Sequence, residues 1–380
     1  MFSSKLPDVG TTIFSVMTAL ATEVGAVNLS QGFPDYPADQ ELPELLLRAA
    51  SDGHNQYAPM PGLLALREAV AKKYATICGV DVDPVQEITI TPGGTAAIAT
   101  AIAAVVRGGQ EVIVFEPSYD SYGPAVRLCG GIVKTSVMLA PSYRPDWTHV
   151  RSVINANTAM IIVNTPHNPC GSVLTHEDLA ELAAICEGTN IVVLSDEVYE
   201  LITFDGVRHN SVLGHPELRE RSFVITSFGK TFHITGWKVG ACVAPAAYTN
   251  EFRKAHQFIS FCVNTPAQVA LASYMSNPAS YIGLGEYFQA KRDLFTGLLR
   301  DSRWTLRPCS GSYFQLLGYE NFSNETDVDL AKRLTKEVGV ASIPISPFMS
   351  SHQQTDKVLR FCFAKKEETL QRAAELLRVV

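Results

Sequence analysis

The chain has 380 residues, of which 46% are hydrophobic and 18% charged, and its formal net charge is −7. This balance is typical of a folded globular protein and excludes a disordered chain. The net acidic charge, without any basic stripe, argues against nucleic acids and anionic membranes as partners. The length predicts one large domain with a smaller one.

Eight cysteines are scattered along the chain, without a C-x-x-C pair and without clustered histidines. They indicate buried thiols in a reducing compartment, and neither a disulfide framework nor a metal site is expected. The amino terminus lacks a signal-peptide pattern, and the longest apolar helical run, residues 96–106, is too short to cross a bilayer. We therefore expect a cytoplasmic protein.

Short β-type runs alternate with helical segments between about residues 60 and 245. Apolar residues at helical spacing predict a helix over 63–74, and an alanine-rich helix begins at Thr95. Thr175 and Asp178 predict a capping box that opens a helix running to Cys186. The predicted strands are EITIT (87–91), EVIVFEP (111–117), GIVKTSV (131–137), AMIIVN (159–164), IVVLSDE (191–197), SFVITSF (222–228) and VGACVA (239–244).

Such alternation predicts an α/β fold with a largely parallel sheet covered by helices on both faces. We expect a large domain at residues 46–280 and a smaller α+β domain built from both chain ends, 1–45 and 281–380. Ligands of parallel sheets bind beyond the carboxyl ends of the strands. The functional residues should therefore lie at the strand ends.

Polar and glycine residues cluster after five of these strands. The clusters are PGGT (92–95), EPSY (116–119), NTPHNPCG (164–171), SDEVY (195–199) and SFGK (227–230). Each motif alone is also typical of an ordinary turn or helix start. Their succession in this order is the stronger signal, and it predicts one common site.

The segment SFGKTFHITGWKVG (227–240) resembles the lysine-attachment segment of class I/II aminotransferases, the fold-type I enzymes that use pyridoxal 5′-phosphate. NLSQGFPD (28–35), NQYAPMPG (55–62) and LRFCFAKKE (359–367) match the same family in the same order. The resemblance runs from about residue 10 to the carboxyl end. Within the family it is strongest to methionine aminotransferases and to kynurenine/glutamine transaminases.

The resemblance implies that Lys230 holds the cofactor as a Schiff base and later moves the proton of the substrate Cα. Asp196 would keep the pyridine nitrogen protonated, which makes the ring an electron sink. Glu197 is the neighbouring alternative, and only the family match selects Asp196. Asn168 and Tyr199 would donate hydrogen bonds to the ring's phenolic oxygen.

The remaining cofactor contacts follow from the same resemblance. Tyr119 would stack on the ring face, with simple core packing as its alternative. The phosphate would be bound by the first turn of a helix, a hydroxyl, a cation and a tyrosine of the neighbouring subunit: Gly94, Thr95, Ala96, Ser227, Lys238 and Tyr57. Lys238 departs from the arginine that many relatives carry, and His233 also departs from the commoner attachment pattern. The contribution of Tyr57 implies a homodimer.

The substrate would be bound by Arg360, whose planar guanidinium suits an α-carboxylate, together with Asn168 and the backbone N–H of Gly32. A surface arginine beside a strand is the alternative for Arg360. Segment 256–268, with Ile13 and Phe14, suggests an apolar or aromatic side-chain pocket.

The resemblance implies a ping-pong transamination between an amino acid and a 2-oxo acid. Methionine is the leading donor, ahead of phenylalanine, tyrosine, histidine and glutamine, because Cys262 stands where kynurenine-handling relatives often have histidine. The rival activity is kynurenine transamination or β-elimination from cysteine conjugates. A non-catalytic pyridoxal-binding regulator is a remote alternative, since the enzyme-like segment leaves no room for an amino-terminal DNA-binding domain.

Overall fold

The structure, a computed structural model, describes residues 3–350 and 356–380. The strands are β1 (Val27–Asn28), β2 (Ile88–Thr91), β3 (Glu111–Glu116), β4 (Ile132–Val137), β5 (Thr158–Asn164), β6 (Val192–Asp196), β7 (Ser222–Ser227), β8 (Gly240–Val243), β9 (Thr305–Leu306), β10 (Phe314–Gly318), β11 (Val340–Ala341), β12 (Ile343–Pro344) and β13 (Val358–Cys362).

The helices, in chain order, are α1 (Ile13–Val24), α2 (Glu41–Ser51), α3 (Leu64–Cys78), α4 (Gly94–Val105), α5 (Tyr122–Leu128), α6 (Trp147–Val153), α7 (His176–Cys186), α8 (Pro216–Arg219), α9 (Phe228–Thr231), α10 (Ala246–Ile259), α11 (Thr265–Met275), α12 (Leu284–Leu299), α13 (Asp327–Arg333) and α14 (Glu367–Leu377). Every strand and helix predicted from residues 60 to 245 is present, with bounds that differ by a few residues. The capping box of α7 is also confirmed, because Thr175 and Asp178 bond reciprocally.

A seven-stranded sheet forms the centre of the fold, in the order β2-β8-β7-β6-β5-β3-β4. Strands β3 to β7 run parallel to one another, which confirms the prediction of a largely parallel sheet. Strand β8 is antiparallel to both β2 and β7. The short link from β7 to β8 contains only the four-residue helix α9 and a turn, so it lacks the long crossover that a parallel neighbour needs. That link carries Lys230 and Lys238.

Both faces of the sheet are buried in strands β2, β3 and β5 to β8, whereas the edge strand β4 is mostly exposed or half-buried. Val112 and Val114 belong to one apolar cluster together with helix α4, whereas Ile113 and Phe115 belong to a second cluster on the opposite face. Successive side chains of a strand point to opposite faces. The strands are thereby held between two layers, and their carboxyl ends form a fixed edge.

Two smaller sheets are built largely from the carboxyl-terminal part of the chain. One is antiparallel, in the order β12-β13-β10-β9, and the other pairs β1 with β11 in parallel. The predicted boundary between residues 45 and 46 falls inside α2, and that between 280 and 281 falls just before α12. Residues 1, 2 and 351–355 of the predicted small domain lie outside the described residues. The division into these two domains stays a prediction.

None of the helices described in residues 3–350 and 356–380 is both long and apolar enough to cross a membrane. All eight cysteines are free thiols, and five of them are buried.

A buried ion pair ties helix α3 to the ends of two central strands. Lys73 Nζ contacts Glu200 Oε1, and both side chains are almost fully excluded from solvent. Thr226, next to the last residue of β7, hydrogen-bonds to both of them. Glu200 follows Tyr199 directly, so the pair lies immediately behind the strand ends.

We expect Lys73→Met to lower the free energy of unfolding by about 3–5 kcal/mol, because it leaves a buried carboxylate without its cation. The double variant Lys73→Met/Glu200→Leu should be more stable than this single variant, since an apolar pair replaces both charges. Denaturant titration of the two variants and of the parent measures this difference. A single variant as stable as the parent would contradict it.

Candidate functional site

A cavity of about 160 Å³ lies at the carboxyl ends of β5, β6 and β7. All five predicted strand-end clusters contribute to its wall. The predicted site residues that line it are Gly94, Thr95, Tyr119, Asn168, Asp196, Tyr199, Ser227, Lys230 and Lys238. The parallel strands bring together residues that are up to 144 positions apart in the sequence, from 94 to 238.

Lys230 enters the cavity from the short helix α9. Its Nζ lies 3.3 Å from the carbonyl oxygen of Gly32 and 5.8 Å from the ring centroid of Tyr199. Removal from bulk water lowers the pKa of Lys230 to about 8. Roughly a tenth of a lysine with that pKa is neutral at pH 7, far more than for an ordinary lysine with a pKa of about 10.4.

Asp196 is the last residue of β6, and its carboxylate is held by two donors. Tyr122 donates its hydroxyl to Oδ2 at 2.6 Å, and the backbone N–H of Val198 donates to Oδ1 at 3.3 Å. Burial raises the pKa of Asp196 to about 6, although these hydrogen bonds oppose the shift. Above pH 6 the cavity therefore contains a carboxylate.

Glu197, the alternative acid, does not line the cavity. Its carboxylate accepts hydrogen bonds from Ser195 Oγ at 2.7 Å, from the Val212 backbone at 3.1 Å and lies 2.8 Å from His209 Nε2. Neighbouring residues at a strand end point to opposite sides. Of the two acids, only Asp196 faces the cavity.

Arg360 is buried in the middle of the small antiparallel sheet, so the surface alternative is wrong. Its Nη1 donates to Asn168 Oδ1 at 2.8 Å and its Nη2 donates to the Ser30 carbonyl oxygen at 2.9 Å. The ring of Phe314 lies 4.0 Å from Cζ. Burial lowers the pKa of Arg360 to about 10.

No carboxylate of residues 3–350 or 356–380 forms an ion pair with Arg360. Its Nε also finds no acceptor within this part of the chain. A buried cation without a counter-ion is costly, and an anionic ligand relieves that cost. The side chain is therefore suited to bind a carboxylate.

The opposite end of the cavity has the features of an anion site. Helix α4 begins at Gly94, and a Cβ added to Gly93 would lie only 3.2 Å from Lys238 Nζ. Free backbone N–H groups and the helix dipole favour negative charge here. Ser227 and Thr95 add hydroxyls at the same end. Ala96 belongs to the first turn of α4 but does not line the cavity.

Three predicted features lie outside the cavity of their own chain. Tyr57 is 81% exposed and packs edge-on against Phe261, with 5.3 Å between ring centroids. Phe258 is also exposed, and no residue of the segment 256–268 lines the cavity. Gly32 lies next to Lys230, but it contributes its carbonyl oxygen to Lys230 and to the Tyr313 hydroxyl.

Several residues of the site were not predicted from the sequence. Asn164 accepts a hydrogen bond from the Asn168 backbone at 2.7 Å and donates to the Asp196 carbonyl oxygen at 2.8 Å. It begins the NTPHNPCG cluster, so a signal existed. Tyr122 and Tyr313 carried none, because aromatic residues in helices and strands are usually packing residues.

The chain belongs to the class I and II aminotransferases. Residues 24–377 match the family model described as "Aminotransferase class I and II". The fold, a parallel sheet with a lysine-containing cavity at its strand ends, agrees with this membership.

Among similar proteins, methionine aminotransferase of Escherichia coli is 49% identical over 99% of this chain and 97% of its own length. The protein named "Probable N-succinyldiaminopimelate aminotransferase DapC" of Mycobacterium tuberculosis is 37% identical over 100% of this chain and 98% of its own. Kynurenine--oxoglutarate transaminase 3 of Rattus norvegicus is more distant, at 34% over 95% and 86%. The solved structure of YbdL from Escherichia coli, described as a methionine aminotransferase, superposes with a TM-score of 0.98 at 48% identity, covering 100% of both chains.

Class I aminotransferases of this fold use pyridoxal 5′-phosphate, and the residues of the cavity fit that molecule. The start of α4, with Lys238, suits a phosphate. Tyr119 and Val198 line the cavity and are suited to pack against a planar ring, and the carboxylate of Asp196 is suited to pair with a basic ring nitrogen. The amine of Lys230 suits an aldehyde carbon.

Proposed function

We propose that this aminotransferase moves the amino group of an apolar L-amino acid, with methionine as its leading donor, to a 2-oxo acid by a ping-pong sequence. The observation that carries the proposal is the pair formed by Lys230 and Arg360. A partly neutral amine lies in the same site as a buried guanidinium that has no acid partner among residues 3–350 and 356–380. The similarity to methionine aminotransferase supports the choice of donor.

Lys230 attaches the cofactor and then carries the proton. When bound, pyridoxal phosphate would supply an electron sink for the reaction at the substrate Cα. The carboxylate of Asp196, ionised above about pH 6 and fixed in direction by Tyr122, would keep the ring nitrogen protonated. The neutral amine of Lys230 would accept the proton of the substrate Cα.

The other contacts orient the cofactor. Asn168 and Tyr199 would donate hydrogen bonds to the phenolic oxygen, and Tyr119 would stack on the ring. The phosphate would be bound by a group of residues at the start of α4 and beside it: Gly94, Thr95, Ala96, Ser227 and Lys238. Lys238 acts there as a point charge, without the bidentate geometry of an arginine.

The enzyme acts as a homodimer in which Tyr57 binds the phosphate of the neighbouring subunit. Tyr57 is exposed and lies away from the cavity of its own chain. Phe258, Ile259 and Phe261 form an exposed apolar surface in the segment that contacts it. Such a patch is typical of an interface between proteins. The free thiols of all eight cysteines support a cytoplasmic location.

Arg360 binds the α-carboxylate of each substrate and so fixes Cα–H near Lys230. Asn168 holds one arm of the guanidinium in place, and the Gly32 main chain lies beside the lysine amine. A charge-assisted, two-point contact restricts rotation of the substrate. Because every amino acid presents the same carboxylate, this contact does not depend on the side chain.

We expect the purified protein to be yellow and borohydride to fix the cofactor irreversibly to Lys230. Peptide mapping by mass spectrometry locates the reduced adduct. Lys238 serves as the internal reference, because it lines the same cavity at the phosphate end. An adduct on Lys238, or on no lysine, would show that the assignment is wrong.

We expect Arg360→Lys to reduce kcat/KM by roughly two orders of magnitude or more, because a lysine cannot form the two parallel hydrogen bonds. The penalty should be similar for methionine and phenylalanine, and the absorption of the bound cofactor should be unchanged. Loss of the cofactor would instead make Arg360 structural. A penalty that differs strongly between the two amino acids would assign it to side-chain recognition.

We expect methionine to give the highest kcat/KM in a panel with phenylalanine, tyrosine, histidine, glutamine, kynurenine and N-succinyldiaminopimelate. The groups of the site are shared by all these donors, so only steady-state rates rank them. Pyruvate release from a cysteine conjugate without added oxo acid measures the competing β-elimination. Dominance of kynurenine, of N-succinyldiaminopimelate or of elimination would overturn the proposed activity.

A further inference from the structure

The carbonyl oxygen of Gly32 accepts two hydrogen bonds inside the site. The hydroxyl of Tyr313 donates to it at 2.7 Å, and the amine of Lys230 donates to it at 3.3 Å. A carbonyl oxygen has two lone pairs, so both contacts can exist together. The first distance is typical of an O–H···O bond, whereas the second is longer than a typical N–H···O bond. The position of this oxygen is therefore set by Tyr313, and Lys230 adjusts to it.

Tyr313 is a rigid donor. Its side chain is buried, and the rings of Tyr199 and Phe314 pack edge-on against it, with ring centroids at 5.0 and 4.9 Å. Its own carbonyl oxygen accepts a hydrogen bond from the Phe363 backbone at 3.0 Å. Close packing of this kind leaves an aromatic side chain little freedom to move. The hydroxyl thus has a fixed position relative to the small antiparallel sheet.

The main chain around Gly32 is restrained as well. A Cβ added to Gly32 would lie 2.9 Å from Cζ of Phe314, so a larger residue would push the backbone away from this ring. One residue further on, the Phe33 carbonyl oxygen accepts a hydrogen bond at 2.7 Å from the buried amine of Lys365. Loss of the Tyr313 hydroxyl would therefore remove one donor without releasing the whole segment.

The chemistry of the two groups gives the contact between Gly32 and Lys230 a function. A carbonyl oxygen only accepts, so it binds the amine of Lys230 through an N–H bond and not through the nitrogen lone pair. The lone pair is the part of a neutral amine that attacks an aldehyde carbon or takes a proton. Because Tyr313 gives its proton to Gly32, that proton does not occupy the lone pair of Lys230. The amine is held at one point while its lone pair stays available.

We propose that Tyr313 is a positioning residue, which acts on Lys230 through the carbonyl oxygen of Gly32. Tyr313 does not line the cavity, so it acts on the site through its neighbours. This role rests on the proposed function, because the amine held in this way is the group that would take the Cα proton of the substrate. Loss of the hydroxyl should slow the steps in which Lys230 reacts and leave the affinity for the cofactor unchanged.

The first test follows the attachment of pyridoxal 5′-phosphate to the apoenzyme by stopped-flow absorption. In this step the Lys230 nitrogen attacks the aldehyde carbon and one molecule of water leaves. Tyr313→Phe removes the hydroxyl and keeps the ring, and it should slow the attachment about three- to tenfold, as expected for one hydrogen bond. Pyridoxamine 5′-phosphate has no aldehyde and cannot bond to Lys230, so its dissociation constant should stay as in the parent.

Tyr319→Phe is the matched control. Tyr319 is a buried residue beyond the other end of β10, and its hydroxyl donates to the Glu325 carbonyl oxygen at 3.3 Å. The control variant thus loses the same type of bond at another place, and its attachment rate should equal that of the parent. Slower attachment in both variants, or an unchanged rate in Tyr313→Phe, overturns the proposal. Weaker binding of pyridoxamine 5′-phosphate by Tyr313→Phe also overturns it, because Tyr313 would then shape the cavity as a whole.

The second test measures the primary deuterium isotope effect on kcat with methionine labelled at Cα. Poorer positioning of Lys230 slows the proton transfer relative to the other steps, so the isotope effect should rise in Tyr313→Phe and stay unchanged in Tyr319→Phe. A fall in kcat without a rise in the isotope effect would overturn the role of Tyr313 in this transfer. If no amino acid is transaminated, the proposed function fails, but the attachment rates still decide whether Tyr313 positions Lys230.

Discussion

The buried guanidinium of Arg360 is the constraint around which the site is built. It lies in the centre of a small antiparallel sheet, 1% exposed, and no acid of the described residues pairs with it. Its donors reach instead to Asn168 and to the Ser30 carbonyl, so three distant parts of the chain converge on one cation. Such a charge is stable only if neutral acceptors and an anionic ligand share it. The buried guanidinium of Arg360 is therefore suited to bind the carboxylate of a ligand.

Burial shifts the two central titratable groups of the cavity in opposite directions. The pKa of Lys230 falls to about 8 and that of Asp196 rises to about 6, because each charged form loses solvation. Between these values the acid is ionised while a useful fraction of the amine is neutral. One physical effect therefore gives both groups the protonation states that transamination near neutral pH requires.

In the proposed function, the α-carboxylate and the side chain of the substrate are recognised by different groups. Arg360 would contact the α-carboxylate, which is the same for every amino acid, so this contact would provide affinity and orientation without selecting a side chain. The rings of Phe14 and Phe348 lie 5.1 and 5.8 Å from the guanidinium carbon of Arg360 and supply apolar surface next to this contact.

The sequence by itself determined the class of protein, because its strong signals are local. Apolar runs identified the strands, Thr175 with Asp178 identified a helix start, and the segment around Lys230 indicated the cofactor. The residues alone did not separate Asp196 from Glu197, and the resemblance to the family favoured Asp196; the tertiary structure gives the physical reason, since of these adjacent residues only Asp196 faces the cavity. It also revealed that Arg360 is buried and that Phe258, Ile259 and Phe261 are exposed. The hydrogen bond from Arg360 to the Ser30 carbonyl joins residues that are 330 positions apart, and no local sequence pattern encodes such a contact.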